Sequence, residues 1–228
     1  MAQAKAKSIG RPVSEVRINT FLAQVYLVMG LGLAVTGFVA SWTSNNIAVL
    51  LRTMTPGFAF GIFIVQIILV VALSAAVMRM SPVVAFLMFI IYSALTGLTF
   101  ASLFIVYTES TISQVFWITA GVFFLTSLLG MLLKKDLSSA GYVLFMLLLG
   151  WTLAWTLSWF FPGMNMLLTY IGIALFVGLT AYDTQKLKKI GQQLDSHPAR
   201  GGLVVIGALD LYLDFINLFL LMLRASRR

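Results

Sequence analysis

A chain of 228 residues that is 61% hydrophobic, only 10% charged and free of cysteine carries too few polar side chains to cover a water-soluble globule of its size. The missing cysteines exclude a disulfide scaffold, a thiolate metal centre, an iron–sulfur cluster and a cysteine nucleophile, and the single histidine, His197, argues against a zinc or haem site. A net charge of +8 would suggest nucleic acid in a soluble chain, but in a membrane protein lysine and arginine set orientation, so their placement decides.

The first 17 residues are polar and basic and form a tail ahead of a single membrane domain over residues 18–228. Seven apolar runs follow, each near the roughly 20 residues that a helix needs to cross the hydrocarbon core. They cover about Phe21–Trp42, Gly57–Met78, Val83–Tyr107, Ile112–Leu133, Ala140–Phe161, Asn165–Tyr182 or a little beyond, and Leu203–Leu223. Between them stand Ser44-Asn45-Asn46, Pro56-Gly57, Ser81-Pro82, Lys134-Lys135-Asp136, Pro162-Gly163 and a polar stretch from Lys186 to Arg200. Alternating ten-residue strands of an outer-membrane barrel are absent, so the expected fold is an all-α polytopic bundle of seven transmembrane helices. No small-residue cleavage site follows the first run, which is expected to stay as an anchor.

Eleven basic residues fall on one side of this layout: Lys5, Lys7, Arg11, Arg17, Arg79, Lys134, Lys135, Lys186, Lys188, Lys189 and Arg200. The other side has Arg52 and the C-terminal Arg224, Arg227 and Arg228. The positive-inside rule then puts the N-terminus in the cytoplasm and reads the +8 as orientation, with no nucleic-acid partner. The three C-terminal arginines conflict with that bias. Trp42, Trp117 and Trp159 fall near outer helix ends, and Trp151, Trp155 and Trp159 repeat at four-residue spacing, a stripe best explained by packing or lipid contact. Small-residue pairs at Gly30 and Ala34, Gly57 and Gly61, and Gly97 and Ala101 are suited to close helix approach. Gly-Leu-Thr recurs at 97–99 and 178–180, three helices apart, as an inverted three-plus-three-plus-one arrangement would require.

Of seven acids, Glu15, Glu109, Asp136 and Asp195 lie in termini or loops. Asp183 ends the sixth run, and Asp210 and Asp214 lie inside the seventh, Asp214 roughly 16 Å from its start. A charge at that depth costs at least ~2.5 to 3.5 kcal/mol, so such residues face the bundle interior and mark a pathway or relay. Gly207, Asp210, Asp214 and Asn217 form one polar stripe on the last helix, which other helices must therefore enclose. Asp183 reaches a similar depth, and a pair with Asp214 or Asp210 would share a proton: bridged, it holds two helices together; deprotonated, two anions repel and favour water or a cation. Arg79 is a candidate counter-charge.

Two blocks carry a family resemblance: Val177-Gly178-Leu179-Thr180-Ala181-Tyr182-Asp183-Thr184-Gln185-Lys186, and Leu211-Tyr212-Leu213-Asp214-Phe215-Ile216-Asn217-Leu218-Phe219-Leu220. With Tyr92-Ser93-Ala94-Leu95-Thr96-Gly97-Leu98-Thr99 they resemble the Bax inhibitor-1 family in its bacterial inner-membrane branch, over about Phe21 to Arg224. The resemblance implies a last helix wrapped by the other six and a pH-sensitive calcium leak governed by Asp183 and Asp214, with Asp210 and Asn217 beside them, weak transient calcium at the two aspartates, and no catalytic residue or cofactor. It further implies an arginine on the second span facing the sixth-span aspartate, for which Arg79 is the candidate, and an acid on the second span where this chain has Gln66. The implied setting is the bacterial inner membrane, with the bilayer and calcium or other cations as partners. Calcium wants six to eight oxygens, more than this interior offers, which favours passage over storage.

Three rivals remain at this level: a non-conducting regulator of stress responses or membrane-protein quality control, a proton-coupled transporter, and an intramembrane aspartyl protease. The last expects Gly-x-Gly-Asp, whereas Gly207-Ala208-Leu209-Asp210 lacks the second glycine. A retinal protein is excluded by the absence of lysine in the seventh run.

Overall fold

The computed structural model describes residues 13–133, 135–158, 160, 164–193 and 200–227. Most of the basic tail, Trp159, His197 and the stretch 194–199 lie outside the described residues. The helices are α1 (Val13–Ser44), α2 (Ile47–Thr53), α3 (Pro56–Ala76), α4 (Pro82–Phe100), α5 (Leu103–Val106), α6 (Glu109–Leu132), α7 (Ser138–Leu157), α8 (Asn165–Gln193) and α9 (Arg200–Ala225). Seven segments are long and apolar enough to cross a membrane, and no strand occurs among the described residues. The chain is an all-α polytopic membrane protein.

Local chemistry sets the ends. Pro56 and Pro82 open α3 and α4, where a missing N–H costs nothing. Ser81 caps α4 by accepting from Val84 N at 3.3 Å, and Thr108 caps α6 by accepting from Thr111 N at 3.2 Å. The segment expected as a loop before Pro56 contains the two-turn helix α2.

The last helix is central. In its apolar window 67% of residues are buried, against 39% for α8 and less for every other span. Helices α1, α4, α6 and α8 pack directly on it, while α3 and α7 pack chiefly on α4 and α8. The expectation of six wrapping helices is thus reduced to an inner ring of four and an outer pair. The core joins Phe21, Val25 and Met29 of α1 to Phe89 of α4 and Leu209, Tyr212 and Phe215 of α9. Large apolar side chains such as Phe38, Trp117 and Leu153 face outward, as lipid demands. Among the glycines of these pairs, Gly97 meets another helix. A Cβ on Gly97 would lie 2.7 Å from Thr36 O, whereas Gly30, Gly57 and Gly61 face open space.

Candidate functional site

Helix α8 continues well beyond the end of its apolar run. Lysine, leucine and glutamine are good helix formers, so the segment from Lys186 to Gln193 stays helical where a polar loop was expected. Asp183 is therefore not at a helix end but ten residues inside one, and Lys186 stands one turn from it.

Each residue of the Tyr-Asp-Thr-Gln motif meets a different neighbour. The Tyr182 ring packs so closely on α7 that a Cβ on Gly141 would lie 2.4 Å from it. Asp183 faces α9. Thr184 donates to Ser127 Oγ of α6 at 3.2 Å and meets the Tyr26 hydroxyl of α1 at 3.4 Å. Gln185 clamps the α6–α7 loop: its Oε1 accepts from Leu137 N at 2.7 Å, and its Nε2 donates to the carbonyls of Lys135 at 3.0 Å and Leu133 at 3.3 Å. One turn on, Lys188 donates to Met131 O at 2.7 Å and satisfies the end of α6. These ties fix the rotation of α8 and hence the direction of Asp183.

Across from it, α9 presents Asp210 and Asp214 on one face. Gly207 admits Leu187 of α8, whose Cδ2 would lie 2.6 Å from an added Cβ; the glycine in the stripe does bring a neighbour near. Asp183 and Asp214 lie side by side, within hydrogen-bonding reach. Lys186 Nζ is 3.8 Å from Asp183 Oδ1 and 3.3 Å from Asp210 Oδ2. Three carboxyls and one lysine thus form a single cluster between the two helices.

The counter-charge in place is Lys186 and not Arg79. Arg79 is exposed on the turn 77–79 between α3 and α4 and makes no ion pair among the described residues. Hydropathy assigned Lys186 to a loop, which hid its role; continuing the helix by propensity would have found it at i, i+3 from Asp183.

Burial grades the cluster. Lys186 and Asp210 side chains are 45% and 30% exposed, whereas Asp214 is 5% exposed. The basic end of the bundle is cut obliquely. Helix α6 stops level with Lys188, while the α3–α4 turn reaches down to Gly201 and Gly202, against Pro82 and Val77. Asp214 Oδ2 is enclosed with no hydrogen-bond partner. The Thr180 hydroxyl, which donates to Phe176 O at 2.8 Å, also lies within reach of the Asp214 carboxyl, and two carboxylates offer each other only acceptors. A proton held by the pair would supply the missing donor.

A second buried polar layer lies on the opposite face of α9. The Tyr212 hydroxyl meets Thr36 Oγ1 at 2.7 Å, and Thr36 also reaches the carbonyls of Gly32 at 3.0 Å and Ser93 at 2.9 Å. Gln66 donates to Thr96 Oγ1 at 3.0 Å, so the position where the resemblance implied an acid holds a neutral hydrogen-bonded amide. Asn217 does not join the aspartates. It donates to Leu213 O at 2.8 Å and lines a cavity at the far end of α9, with Arg224 and Arg227. Another cavity, about 590 Å³ among α1, α4, α5, α6 and α9, is apolar apart from residues such as Glu109 and Ser113 and does not include the aspartates. Among the described residues no group of three or more histidine, cysteine, aspartate or glutamate side chains is arranged to hold a metal.

Outside the spans, the Asp136 carboxyl is held below the usual carboxylate range, first by Lys189 and then by hydrogen bonds from Ser138.

The sequence has clear relatives. The family model described as inhibitor of apoptosis-promoting Bax1 matches residues 18–226. The chain is 46% identical over 212 residues to the inner membrane protein YbhL of Escherichia coli K12, covering 91% of both chains. It is 39% identical over 210 residues to an uncharacterized protein of Borreliella burgdorferi, covering 90% of both. With seven apolar spans, the last of them central, and both signature blocks seated on α8 and α9, the chain belongs to the Bax inhibitor-1 family.

Proposed function

We propose that the protein is a proton-gated cation leak of the inner membrane, with calcium as the cation and the Asp183–Asp214 pair as the gate. One observation carries the reading: a nearly buried carboxyl, Asp214, lies beside Asp183 with an enclosed oxygen that lacks a donor. A shared proton satisfies that oxygen and ties α8 to α9. Its loss leaves two anions whose repulsion, at low local dielectric, drives the helices apart. Lys186 and Asp210, more exposed on the basic side, form a partly charged mouth below the gate. The leak then opens as pH on that side rises. That side is cytoplasmic, since eleven of the basic residues lie on it.

A non-conducting regulator is the second reading. It is favoured by the other end of α9, where Arg224 and Arg227 oppose cation entry. Calcium uptake by liposomes that contain the purified protein, from mildly acidic to mildly alkaline pH, separates the two. The leak reading expects uptake above that of empty liposomes, rising with pH; uptake no greater than theirs at every pH leaves the regulator.

A further inference from the structure

The three C-terminal arginines run against the charge bias that orients the chain, and two of them stand in a built setting. Arg224 and Arg227 line a cavity of about 540 Å³ with Tyr107, Trp151, Trp155 and Asn217, bounded elsewhere by methionine and leucine. No acid lines it, and neither arginine makes an ion pair among the described residues. The Arg224 guanidinium stacks 4.2 Å over the Trp155 ring, which holds its plane and leaves its edge donors for a ligand. Trp155 packs on Trp151 with ring centroids 5.4 Å apart, and Trp151 is fixed by donating its indole N–H to Leu168 O at 2.8 Å. Two guanidiniums on a fixed aromatic wall, with aliphatic side chains beside them, match a phosphate joined to an apolar body. The depth agrees: α7 ends at Leu157 and α8 begins at Asn165 around this cavity, at the level where aromatic belts meet lipid headgroups.

We infer that this cavity is a binding site for an anionic phospholipid, with the headgroup phosphate on Arg224 and Arg227 and the start of an acyl chain along Trp151 and Trp155. The site explains arginines that orientation does not, and it stands whether or not the protein conducts. The test is tryptophan quenching in the full-length protein in detergent, titrated with acyl-brominated phosphatidylglycerol or acyl-brominated phosphatidylcholine. All proteins in this test carry Trp159→Phe, and outward-facing Trp42 and Trp117 respond alike to both lipids, so the difference between the two curves reports Trp151 and Trp155. The expected result is tighter quenching by phosphatidylglycerol, weakened about tenfold or more in Arg224→Gln, the loss of one charge-assisted contact. Arg227→Gln lies on an exposed residue beyond α9, where folding is not at stake, and should narrow the preference in the same direction. Equal quenching by the two lipids, or an unchanged preference in both variants, overturns the site. Inorganic phosphate provides the second arm: abolition of the phosphatidylglycerol preference by phosphate at low millimolar concentration assigns the arginines to a free anion and overturns the lipid. Failure of phosphate to compete supports it.

Discussion

Replacing Gly130 by alanine tests whether α6 and α8 meet as tightly as the position of Asp183 requires. A Cβ at Gly130 would lie 2.4 Å from Ala181 O, 3.0 Å from its Cα and 3.1 Å from its carbonyl carbon. All three atoms are helix backbone and cannot rotate away. Ordinary contact needs roughly 3.4 Å, so the helices must part locally by about 1 Å. Overpacking of that kind costs about 1–3 kcal/mol, and Ala181 is two residues from Asp183. Gly150 on α7 is the control, since nothing lies within 4 Å of an added Cβ; alanine there should stabilise by about 0.4–1 kcal/mol through the unfolded chain. Thermal unfolding in detergent should therefore move in opposite directions for Gly130→Ala and Gly150→Ala. A Gly130→Ala protein as stable as the parent would refute the described α6–α8 contact and the placement of Asp183 that follows from it.

Four further outcomes are expected. Tyr212→Phe keeps the edge-on contacts to Phe89 and Tyr92, at 5.4 and 5.9 Å, and loses the hydroxyl and its bond to Thr36; unfolding should show a loss of about 0.5–1.5 kcal/mol, and a neutral result would remove that layer from the core. Lys186→Gln should cost under about 1 kcal/mol because the lysine is half in solvent, whereas Lys186→Glu, which gathers four acids, should lower yield and stability far more; equal effects would show that Lys186 does not pair with the cluster. Asp136 has its folded-state pKa depressed, so its tie to Lys189 and Ser138 contributes above the unfolded carboxylate value and is lost only as pH falls through the lower folded value. Amide exchange in the α6–α7 loop should accordingly speed up in Asp136→Asn at neutral pH and not in the parent until strongly acidic pH. Because the chain has no cysteine, single cysteines at exposed Gln193 and Ser226 report orientation; an impermeant maleimide added to intact cells should label Ser226→Cys, and Gln193→Cys only after permeabilisation, with the reverse pattern contradicting the cytoplasmic N-terminus.

Hydropathy alone located the seven spans, because membrane solvent selects side chains along whole helices. The polar stripe of Asp210 and Asp214 likewise implied an enclosed last helix, and α9 is the most buried span. The end of apolarity is not the end of the helix in α8. Hydropathy reports what surrounds a backbone, not whether the backbone is helical, so α8 runs on to Gln193 and holds Lys186 inside a helix where the loss of apolarity predicts a loop. Sequence position makes Arg79 a candidate counter-charge and no more, and a charge on an exposed turn has water as its cheaper partner. Asn217 shares the aspartate stripe by periodicity but sits one turn nearer the opposite end, where Arg224 and the tryptophans of α7 form a separate cavity. Periodicity gives a face; it does not give the depth at which neighbouring helices end.

The gate itself is tested most directly by the pH profile of calcium uptake into liposomes for the parent protein, Asp183→Asn, Asp214→Asn and the double variant. An amide at either position can donate to the remaining carboxylate without a proton, so each single variant should stay closed, with low uptake that no longer rises with pH. On the proposed gate the two residues act as one proton-sharing unit, so their effects should be far from additive, the double variant being no flatter than either single one. Single variants that conduct and keep the parent's rise with pH would contradict the Asp183–Asp214 gate.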